Sequence, residues 1–518
     1  MDLKKAITKI DNIAKQLLNT EQKSLAKTIL KNSCKNGEVD DKILQFILPI
    51  IKTGFVFDKA PEVDQDNIAV IQESKNYRKI GTNGPCHNLI IGENYEVLKN
   101  LRLVFSKLDS GERIGLIDVI YIDPPYNTQR SKDEGNDYKE EVSSSGKFIY
   151  RDKYKRTGWL NMMDERLRLA KDLLTEDGVI FISIDDSECA YLKVLCDEIF
   201  HEDNFISCLT WHSSNTVLKP GKNIRKDHEY ILVYSKDITK TAFNKLKGSM
   251  DFFNIDNDPK GPWFSANAAP GIGKEEFPIT LPNGSVVVRR WGFTKEEYEN
   301  GSVNLYFKGN NVPRIKVYKS EYIQNKTPSS IISSDIGGTL TTAKNDLKKL
   351  YISFDTPKPV KLIKYLLSIS TKKSSLVLDF FAGSGTTGQA VMELNEEDGG
   401  NRRFILVTNN ENNIAKDITY ERLYRLINNK AFNNPEITNI NIKKWLNNNQ
   451  VDIFEINHYL CTIDKDPEKL KKLVISELKK LNEDVKFEDL RLNRDLSSLF
   501  PYDKSKLNKN EIKDLNKF

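Results

Sequence analysis

Four consecutive residues, Asp123, Pro124, Pro125 and Tyr126, hold most of the recognisable chemistry of this chain. They follow the apolar, β-branched run 117–122, which predicts a buried strand, and the prolines end that strand because they fix φ and lack an N–H. Open α/β sheets bind ligands at the carboxyl ends of their strands. A carboxylate, two proline carbonyls and an aromatic ring at such a place suit a planar group that carries an amine. The structural alternative is a stiff turn in which Asp123 is only a cap.

The glycine-rich turn 383–388 is the second segment with chemical potential, because its sequence GSGTTG has the spacing Gly-x-Gly-x-x-Gly. It stands between a strand pattern and a helix pattern, so its glycines permit close backbone approach and the helix start offers free N–H groups. Gln389 and Ala390 stand where a phosphate-binding P-loop has lysine and serine or threonine, which argues against a P-loop. A dinucleotide site, an S-adenosylmethionine site and a purely structural turn are the interpretations that remain.

The S-adenosylmethionine interpretation assigns roles to particular residues. An acid beyond the next strand, Glu411, would hold the ribose hydroxyls of the cofactor. The wall of the pocket would come from the end of the preceding strand and from the turn itself, namely Asp379, Phe381, Gly383, Ser384, Gly385 and Thr386. The turn alone does not separate this cofactor from a nicotinamide dinucleotide. The turn 123–126 favours S-adenosylmethionine, because hydride transfer has no need of its acceptors.

The elements that must position these turns alternate between strand and helix patterns. Short apolar runs predict strands at 88–91, 117–122, 179–184, 375–381 and 403–408. Apolar residues at helical spacing predict helices at 159–174, 188–200, 361–369 and 388–394. This alternation predicts an α/β fold with a parallel, doubly wound, Rossmann-like sheet.

Length and composition narrow the class of protein. A chain of 518 residues exceeds a single ordinary core, so several domains are expected. The formal net charge of +5 permits nucleic-acid binding without requiring it. The 6 cysteines form no Cys-x-x-Cys pair and the 5 histidines are scattered, so we expect no metal site. No signal peptide and no run long enough to span a membrane is evident, which indicates a cytoplasmic protein without a membrane partner.

The chain is predicted to comprise five segments. They are a helical N-terminal accessory or dimerisation region (1–85, with a polar linker at 58–84), two parts of the α/β domain (86–205 and 350–425), an inserted β-rich α+β region (206–349), and a helical, basic C-terminal region (426–518). In the insertion, basic residues alternate with aromatic ones, which favours a nucleic-acid contact surface over an ordinary solvated surface. The candidate contact residues there are Arg289, Arg290, Trp291, Arg314 and Lys316.

The motifs together resemble a known family. The Asp-Pro-Pro-Tyr sequence at 123–126 resembles the catalytic motif of amino-group DNA methyltransferases, and the Phe-Ala-Gly-Ser-Gly sequence at 381–385 resembles their cofactor motif. The catalytic motif first, then a long insertion, then the cofactor motif is the order of the β group. Residues 148–205 and 378–407 further resemble the modification subunit of type III restriction systems. The resemblance extends over roughly residues 88–425.

This resemblance implies a site-specific adenine-N6 DNA methyltransferase that uses S-adenosylmethionine and no metal. Asp123 and the Pro124 carbonyl would accept hydrogen bonds from the amine of a flipped adenine, and Tyr126 would stack on the base. Glu93, where the family usually has aspartate, would lie near the adenine of the cofactor. Lys358 and Pro359 would close over its methionine end.

Several consequences of the resemblance concern DNA and partners. Residues 206–349 would form the target-recognition domain, and Trp211 would either wall the target pocket or be an ordinary core aromatic. The expected partners are double-stranded DNA, a second copy of the chain, and a restriction subunit with helicase and nuclease activity. The alternatives are a solitary methyltransferase, a cytosine-N4 methyltransferase, a dinucleotide-dependent oxidoreductase, and a catalytically silent DNA-binding or scaffolding subunit.

Overall fold

The computed structural model divides the chain into two compact units, Met1–Phe243 with Ser329–Phe518, and Asn244–Pro328. The residues that it describes are 2–13, 20–35, 38–39, 67–109, 112–126, 156–215, 224–246, 251–308, 312–322, 326–438, 440, 446–460, 467–483, 485 and 499. The segment 43–51, where apolar residues recur at helical spacing, and the polar segment 129–146 lie outside these residues.

The strands and helices of the described residues follow in chain order. The strands are β1 Cys34–Lys35, β2 Glu38–Val39, β3 Asn67–Glu73, β4 Cys86–Ile91, β5 Ser106–Asp109, β6 Glu112–Gly115, β7 Ile117–Ile122, β8 Leu174–Ile184, β9 Phe205–His212, β10 His228–Ser235, β11 Trp263–Asn267, β12 Glu275–Thr280, β13 Val286–Trp291, β14 Leu305–Tyr306, β15 Arg314–Tyr318, β16 Ile331–Ile332, β17 Leu376–Asp379, β18 Arg403–Thr408 and β19 Gln450–Leu460. The α-helices are α1 Leu3–Ile13, α2 Thr20–Asn32, α3 Asn94–Val104, α4 Arg156–Leu173, α5 Cys189–Phe200, α6 Lys295–Glu299, α7 Ser334–Gly337, α8 Leu340–Lys349, α9 Val360–Ser370, α10 Thr386–Asp398, α11 Glu421–Asn428 and α12 Pro467–Leu481. Short 3-10 turns at Glu202–Asn204 and Glu411–Asn413 and a π-helix at Ile414–Tyr420 complete them.

The first unit is built on a 10-stranded sheet in the order β16-β9-β10-β8-β7-β17-β18-β4-β19-β3. Six neighbouring strands, from β8 to β19, are parallel, and β10 and β3 flank them in the antiparallel direction. Parallel neighbours end at the same edge, so the segments after β7, β17, β18 and β4 converge there. The predicted Rossmann-like, doubly wound fold is confirmed.

Helices cover both faces of this sheet because successive strand residues point to opposite sides. In β7, Ile120 and Ile122 pack into the layer that holds α3, α4 and α5, whereas Val119 and Tyr121 pack into the layer that holds α9, α10 and α11. Buried apolar side chains on both faces explain why the strands appear in the sequence as nearly continuous apolar runs. Among the described helices, none has the length and hydropathy needed to cross a membrane.

Two strands of the sheet lie where the sequence predicted other structure. β3 occupies part of the predicted linker 58–84, and its Ile68–Ile71 stretch is buried. β19 lies between β4 and β3, although the segment from 426 onwards was predicted to be helical. The predictions were wrong here because the average Lys/Asn-rich composition of the C-terminal segment hides one short alternating run, whose strand state depends on distant partners. The helices α1, α2 and α12 do lie in the two terminal regions as predicted.

The second unit has its own small core. A hairpin of β12 and β13 and a three-stranded sheet in the order β11-β15-β14 surround a cluster of buried side chains, namely Ala268, Phe277, Ile279, Trp291 and Phe293. This unit is shorter than the predicted insertion 206–349. The strands β9, β10 and β16 lie within the predicted insertion in sequence, apart from the first residue of β9, but they belong to the large sheet of the first unit.

Candidate active site

The turn after β7 lies in a cluster of four polar side chains. The Lys358 ammonium lies 2.8 Å from Asp123 Oδ1, 3.2 Å from Glu229 Oε2 and 2.7 Å from the Tyr126 hydroxyl. The Tyr126 hydroxyl in turn lies within donating distance of both carboxylates, at 2.9 Å from Asp123 Oδ1 and 3.0 Å from Glu229 Oε2. Asp123 keeps 24% of its side chain exposed, so it faces the open edge of the sheet. The sequence did not indicate Glu229, which belongs to β10.

Charge in this cluster is set by burial and by the two carboxylates. Burial alone would lower the pKa of Lys358, but Asp123 and Glu229 outweigh it and the pKa is raised, so the side chain is an ammonium. Burial and the same carboxylates raise the pKa of Tyr126 far above its ordinary value, which keeps its phenol protonated. The cluster therefore combines one cation and one protonated phenol with two carboxylates.

The two proline carbonyls of the turn have different surroundings. The indole N–H of the buried Trp159 in α4 donates to the Pro125 carbonyl at 2.6 Å. The expectation that both carbonyls are available was therefore wrong for Pro125. Within the described residues, no donor lies on the Pro124 carbonyl, so the acceptors left for a ligand are this carbonyl and the Asp123 carboxylate.

The glycine-rich turn follows β17, the neighbour of β7 in the sheet. Gly383 and Gly385 have φ of +49° and +76°, in the left-handed region that favours glycine. Within the described residues, a Cβ added at Gly383 would meet only the Phe381 carbonyl oxygen, at 3.8 Å, so the space beside this residue is open. The start of α10 follows directly and supplies free N–H groups. This turn fits a ligand that the backbone approaches closely, as a nucleoside-containing cofactor requires.

Asp379 and Phe381, which were both predicted to line the cofactor pocket, have buried side chains. Asp379 is 2% exposed and accepts hydrogen bonds from the Phe381 N–H at 3.0 Å and from the Thr387 hydroxyl at 2.6 Å. Phe381 is also buried. Both carboxylate oxygens of Asp379 thus hold the shape of the turn.

Two side chains that the sequence did not indicate support the same turn from outside it. Arg422, fully buried at the start of α11, donates to the carbonyl and hydroxyl oxygens of Ser384, both at 3.1 Å, and to the Thr386 hydroxyl at 2.8 Å. Burial lowers the pKa of Arg422 to about 10. The Thr419 hydroxyl donates to the Gly383 carbonyl at 2.6 Å. The turn is therefore held rigidly by the chain that follows β18.

Lys358 links the two turns. Its carbonyl accepts a hydrogen bond from the Thr386 hydroxyl at 3.2 Å, while its ammonium contacts Asp123 in the turn after β7. Pro359 comes next and precedes the first residue of α9. The structure thus places the side chain of Lys358 on the turn after β7, whereas the sequence assigned it to the cofactor. Contact of Pro359 with the cofactor stays a prediction.

Glu93 and Glu411, the two predicted cofactor acids, both lie at the converging edge. Glu93 follows β4, caps α3 by accepting the Glu96 N–H at 3.0 Å, and forms an ion pair with the buried Arg166. Burial is the largest cause of the raised pKa of Glu93. Glu411 follows β18 and is half-buried. Their contacts with a cofactor stay predictions.

Comparison with known proteins identifies the family of this chain. The profile of a family described as DNA methylase matches residues 117–421, a segment that contains both turns and the cluster of Lys358. The chain belongs to the DNA methylase family. The profile of a second family, described as an uncharacterised conserved protein, matches residues 3–110.

Individual relatives of the chain are modification enzymes. It is 32% identical over 422 residues to the Mod subunit of the type III restriction-modification enzyme StyLTI of Salmonella typhimurium, which covers 72% of this chain and 62% of that protein. It is 31% identical over 369 residues to the type II methyltransferase M.KpnI of Klebsiella pneumoniae, which covers 66% of this chain and 84% of that protein. Among solved structures, the complex of M1.HpyAVI with SAM covers 65% of this chain and 98% of that one, at 15% identity and a TM-score of 0.31. The chain thus spans less than two thirds of the length of the StyLTI subunit.

The residues that are predicted to contact DNA have different exposures. Trp211 is buried and donates to the Gly338 carbonyl at 3.0 Å, which is the position of a core aromatic. Trp291 is buried in the core of the second unit and donates to the Phe277 carbonyl at 2.7 Å. Neither indole can reach DNA in this conformation.

The basic candidates all lie in the second unit. Lys316 is 10% exposed and paired with Asp256 and Asp258, each at 2.5 Å, so its charge is already used within the unit. The side chains of Arg289, Arg290 and Arg314 are exposed. These three arginines are therefore the ones that remain predicted DNA contacts.

Replacement of Asp379 by asparagine is expected to change the pH dependence of the melting temperature. Burial raises the pKa of the folded-state Asp379 carboxyl to about 7, from an ordinary value of 3.8. Between these values the folded protein holds a proton that the unfolded chain has released. This carboxyl therefore makes the wild type less stable as the pH rises, by about 1.4 kcal/mol per pH unit.

The asparagine variant lacks this loss, so its Tm should rise relative to the wild type from about pH 5 to pH 7 and then stay level. Calorimetry across this pH range measures the difference. Asp346→Asn, which removes an exposed carboxylate paired with Lys349, is the control and should leave the profile unchanged. Parallel profiles for the wild type and Asp379→Asn would contradict the burial of a titrating carboxyl.

Proposed function

We propose that this chain is a site-specific DNA methyltransferase that transfers a methyl group from S-adenosylmethionine to the N6 amine of adenine in double-stranded DNA. The observation that carries the proposal is the juxtaposition of two turns on neighbouring strands of one sheet. The turn after β7 offers the Asp123 carboxylate and the Pro124 carbonyl, and the turn after β17 offers open space beside Gly383. Membership of the DNA methylase family supports it.

The residues of the first turn compensate for the weak nucleophilicity of the adenine amine, whose lone pair is delocalised into the ring. Asp123 and the Pro124 carbonyl accept its two N–H bonds and favour a tetrahedral nitrogen as the new bond forms. Bound S-adenosylmethionine supplies a methyl group on a positively charged sulfur. The amine nitrogen would attack the methyl carbon in line as the carbon–sulfur bond breaks and its electrons stay on sulfur. Asp123 would then receive the proton that the nitrogen loses and pass it to solvent.

Access to the amine requires that the adenine leave the helical stack. Tyr126 lies directly beside the two acceptors and would stack on the flipped base. Its hydroxyl is anchored by Lys358, Asp123 and Glu229, which would hold the ring in one orientation. These contacts would fix the positions of Tyr126 and Asp123 before the base arrives.

The finer parts of the proposal concern partners and location. Similarity to a type III Mod subunit supports pairing with a restriction subunit. A homodimer and a cytoplasmic location are further parts of the proposal. Similarity to the type II methyltransferase M.KpnI supports the alternative of a methyltransferase that acts without one. Co-purification of a helicase–nuclease subunit with the tagged chain from its host would favour the first form, and recovery of the active chain from its host without such a subunit would favour the second.

Analysis of the product tests the proposed reaction. The purified chain is incubated with DNA and methyl-labelled S-adenosylmethionine, and the DNA is digested to nucleosides. We expect labelled N6-methyl-2′-deoxyadenosine, whereas N4-methyl-2′-deoxycytidine would indicate the cytosine alternative. S-Adenosylmethionine should raise the Tm and NAD should not, and the opposite pattern would favour the oxidoreductase alternative. Sequencing of methylated host DNA would give the recognised site.

Exchange of the second unit is expected to change the recognised sequence. The prediction from sequence places target recognition in 206–349, and we propose that its compact part, Asn244–Pro328, carries the base contacts because it folds around its own core. A chimera with the corresponding unit of a relative should methylate the site of the donor. Methylation of the original site by the chimera would contradict this.

Triple replacement of Arg289, Arg290 and Arg314 by alanine should weaken DNA binding at low salt.

A further inference from the structure

Glu229 stands at the active-site edge although it comes from a strand outside the two motifs. It is the second residue of β10, where it pairs with Trp211 of β9, and the next residue pairs with Ile184 at the end of β8. Because β10 runs antiparallel to β8, its first residues reach the edge where the parallel strands end. The Glu229 side chain is only 13% exposed.

Within the described residues, the Glu229 side chain has its polar contacts with the turn after β7 and with Lys358. Its carboxylate lies 3.2 Å from the Lys358 ammonium and 3.0 Å from the Tyr126 hydroxyl. The three N–H bonds of the ammonium thus have three oxygen partners, on Asp123, Glu229 and Tyr126. Asp123 therefore shares its cation with a second carboxylate.

We propose that Glu229 is a positioning residue that preserves the acceptor strength of Asp123 by sharing the Lys358 ammonium. This inference rests on the proposed methyl transfer to an amine. Without Glu229, the whole ammonium charge would face Asp123 at 2.8 Å, and the carboxylate would accept a proton less readily. With Glu229, the cluster of two carboxylates and one ammonium carries one net negative charge.

A net negative charge suits the reaction because positive charge develops on the amine nitrogen as the new bond forms. A buried charge near that nitrogen interacts with it more strongly than a solvated one would, since little water screens the pair. Among the described residues, the Glu229 side chain has an ion pair with Lys358 and a hydrogen bond with Tyr126, and it has neither with the glycine-rich turn 383–388. Glu229 should therefore influence kcat much more than the KM for S-adenosylmethionine.

The test is Glu229→Gln in the full chain, which keeps the shape of the side chain and removes its charge. We expect kcat for DNA methylation to fall by about tenfold or more, with the KM for S-adenosylmethionine within about twofold of the wild type. The acid limb of the kcat profile should move to lower pH, because the variant has lost one of the negative charges of the cluster. The other titratable groups facing this cluster are Lys358, Tyr126, Tyr121 and Asp379, which are unchanged in both proteins.

Two further variants separate charge from structure. Glu229→Asp keeps the charge, so its acid limb should stay near that of the wild type even if kcat falls. Lys358→Met removes the cation and should move the limb to higher pH, which keeps the proposal testable even if Glu229→Gln does not fold. Glu176→Gln, which removes a surface carboxylate paired with Lys240, is the matched control and should change neither quantity.

The outcomes are distinct. An unchanged kcat in Glu229→Gln, or a lower kcat with an unmoved acid limb, would overturn the role of Glu229 while the proposed function stands. A wild-type chain that methylates no DNA would overturn the proposed function and this inference with it. A lower kcat together with a displaced limb supports both.

Discussion

Replacement of Asp123 by alanine is expected to reduce methyl transfer by at least about 10²–10³-fold, while S-adenosylmethionine still binds. The variant keeps the Pro124 carbonyl but lacks the charged acceptor that receives the proton of the amine. Lys358 retains Glu229 and the Tyr126 hydroxyl as partners, so it is not left buried without a counter-charge. Because Asp123 is 24% exposed and its ion partner keeps another carboxylate, the fold should lose little stability.

Single-turnover transfer and the cofactor-induced rise in Tm measure the two parts of this prediction separately. Asp123→Asn keeps the shape and one acceptor oxygen, so its activity should lie between those of the alanine variant and the wild type. Asp186→Ala is the matched control, since Asp186 follows the neighbouring strand β8 at the same edge but pairs with the exposed Lys226 at 2.9 Å. Turnover by Asp123→Ala close to that of the wild type would refute the assigned role of the carboxylate.

The two turns could be predicted because each is encoded locally. Each turn directly follows an apolar strand pattern and is marked by a strand-ending pair of prolines or by closely spaced glycines, all within about a dozen residues, and parallel strands bring their ends to one edge. The supports of the turns are not local. Trp159 reaches Pro125 across 34 positions of sequence, and Glu229 reaches Tyr126 across 103.

The same distinction explains the differences in the fold. β19 is a strand because it lies between β4 and β3, and its partner β3 comes from the opposite end of the chain. The local sequence does not indicate which distant strands will pair with it. The prediction of helix for this segment therefore rested on its Lys/Asn-rich composition. Trp211 illustrates the converse, since a tryptophan near a motif suggests a binding surface until its burial and its bond to Gly338 place it in the core.

Replacement of Gly385 by valine is expected to abolish detectable binding of S-adenosylmethionine and to lower the Tm. Gly385 has φ of +76°, where a β-branched residue is strongly disfavoured, and an added Cβ would lie 3.2 Å from the Thr419 methyl carbon. Thr419 cannot move away freely, because its hydroxyl holds the Gly383 carbonyl at 2.6 Å. The strain is therefore relieved by movement of the turn itself, which displaces the free N–H groups at the start of α10.

The same helix offers a matched control at its other end. Gly399 follows α10 with φ of +65°, and an added Cβ there would meet no atom of the described part of the chain within 4 Å. Gly399→Val thus introduces comparable backbone strain, about 1–2 kcal/mol, far from the site. Both variants should show a lower Tm, but only Gly399→Val should retain the rise in Tm with S-adenosylmethionine. Retention of that rise by Gly385→Val would show that the glycine turn does not hold the cofactor, whereas its loss in both variants would assign the effect to α10 as a whole.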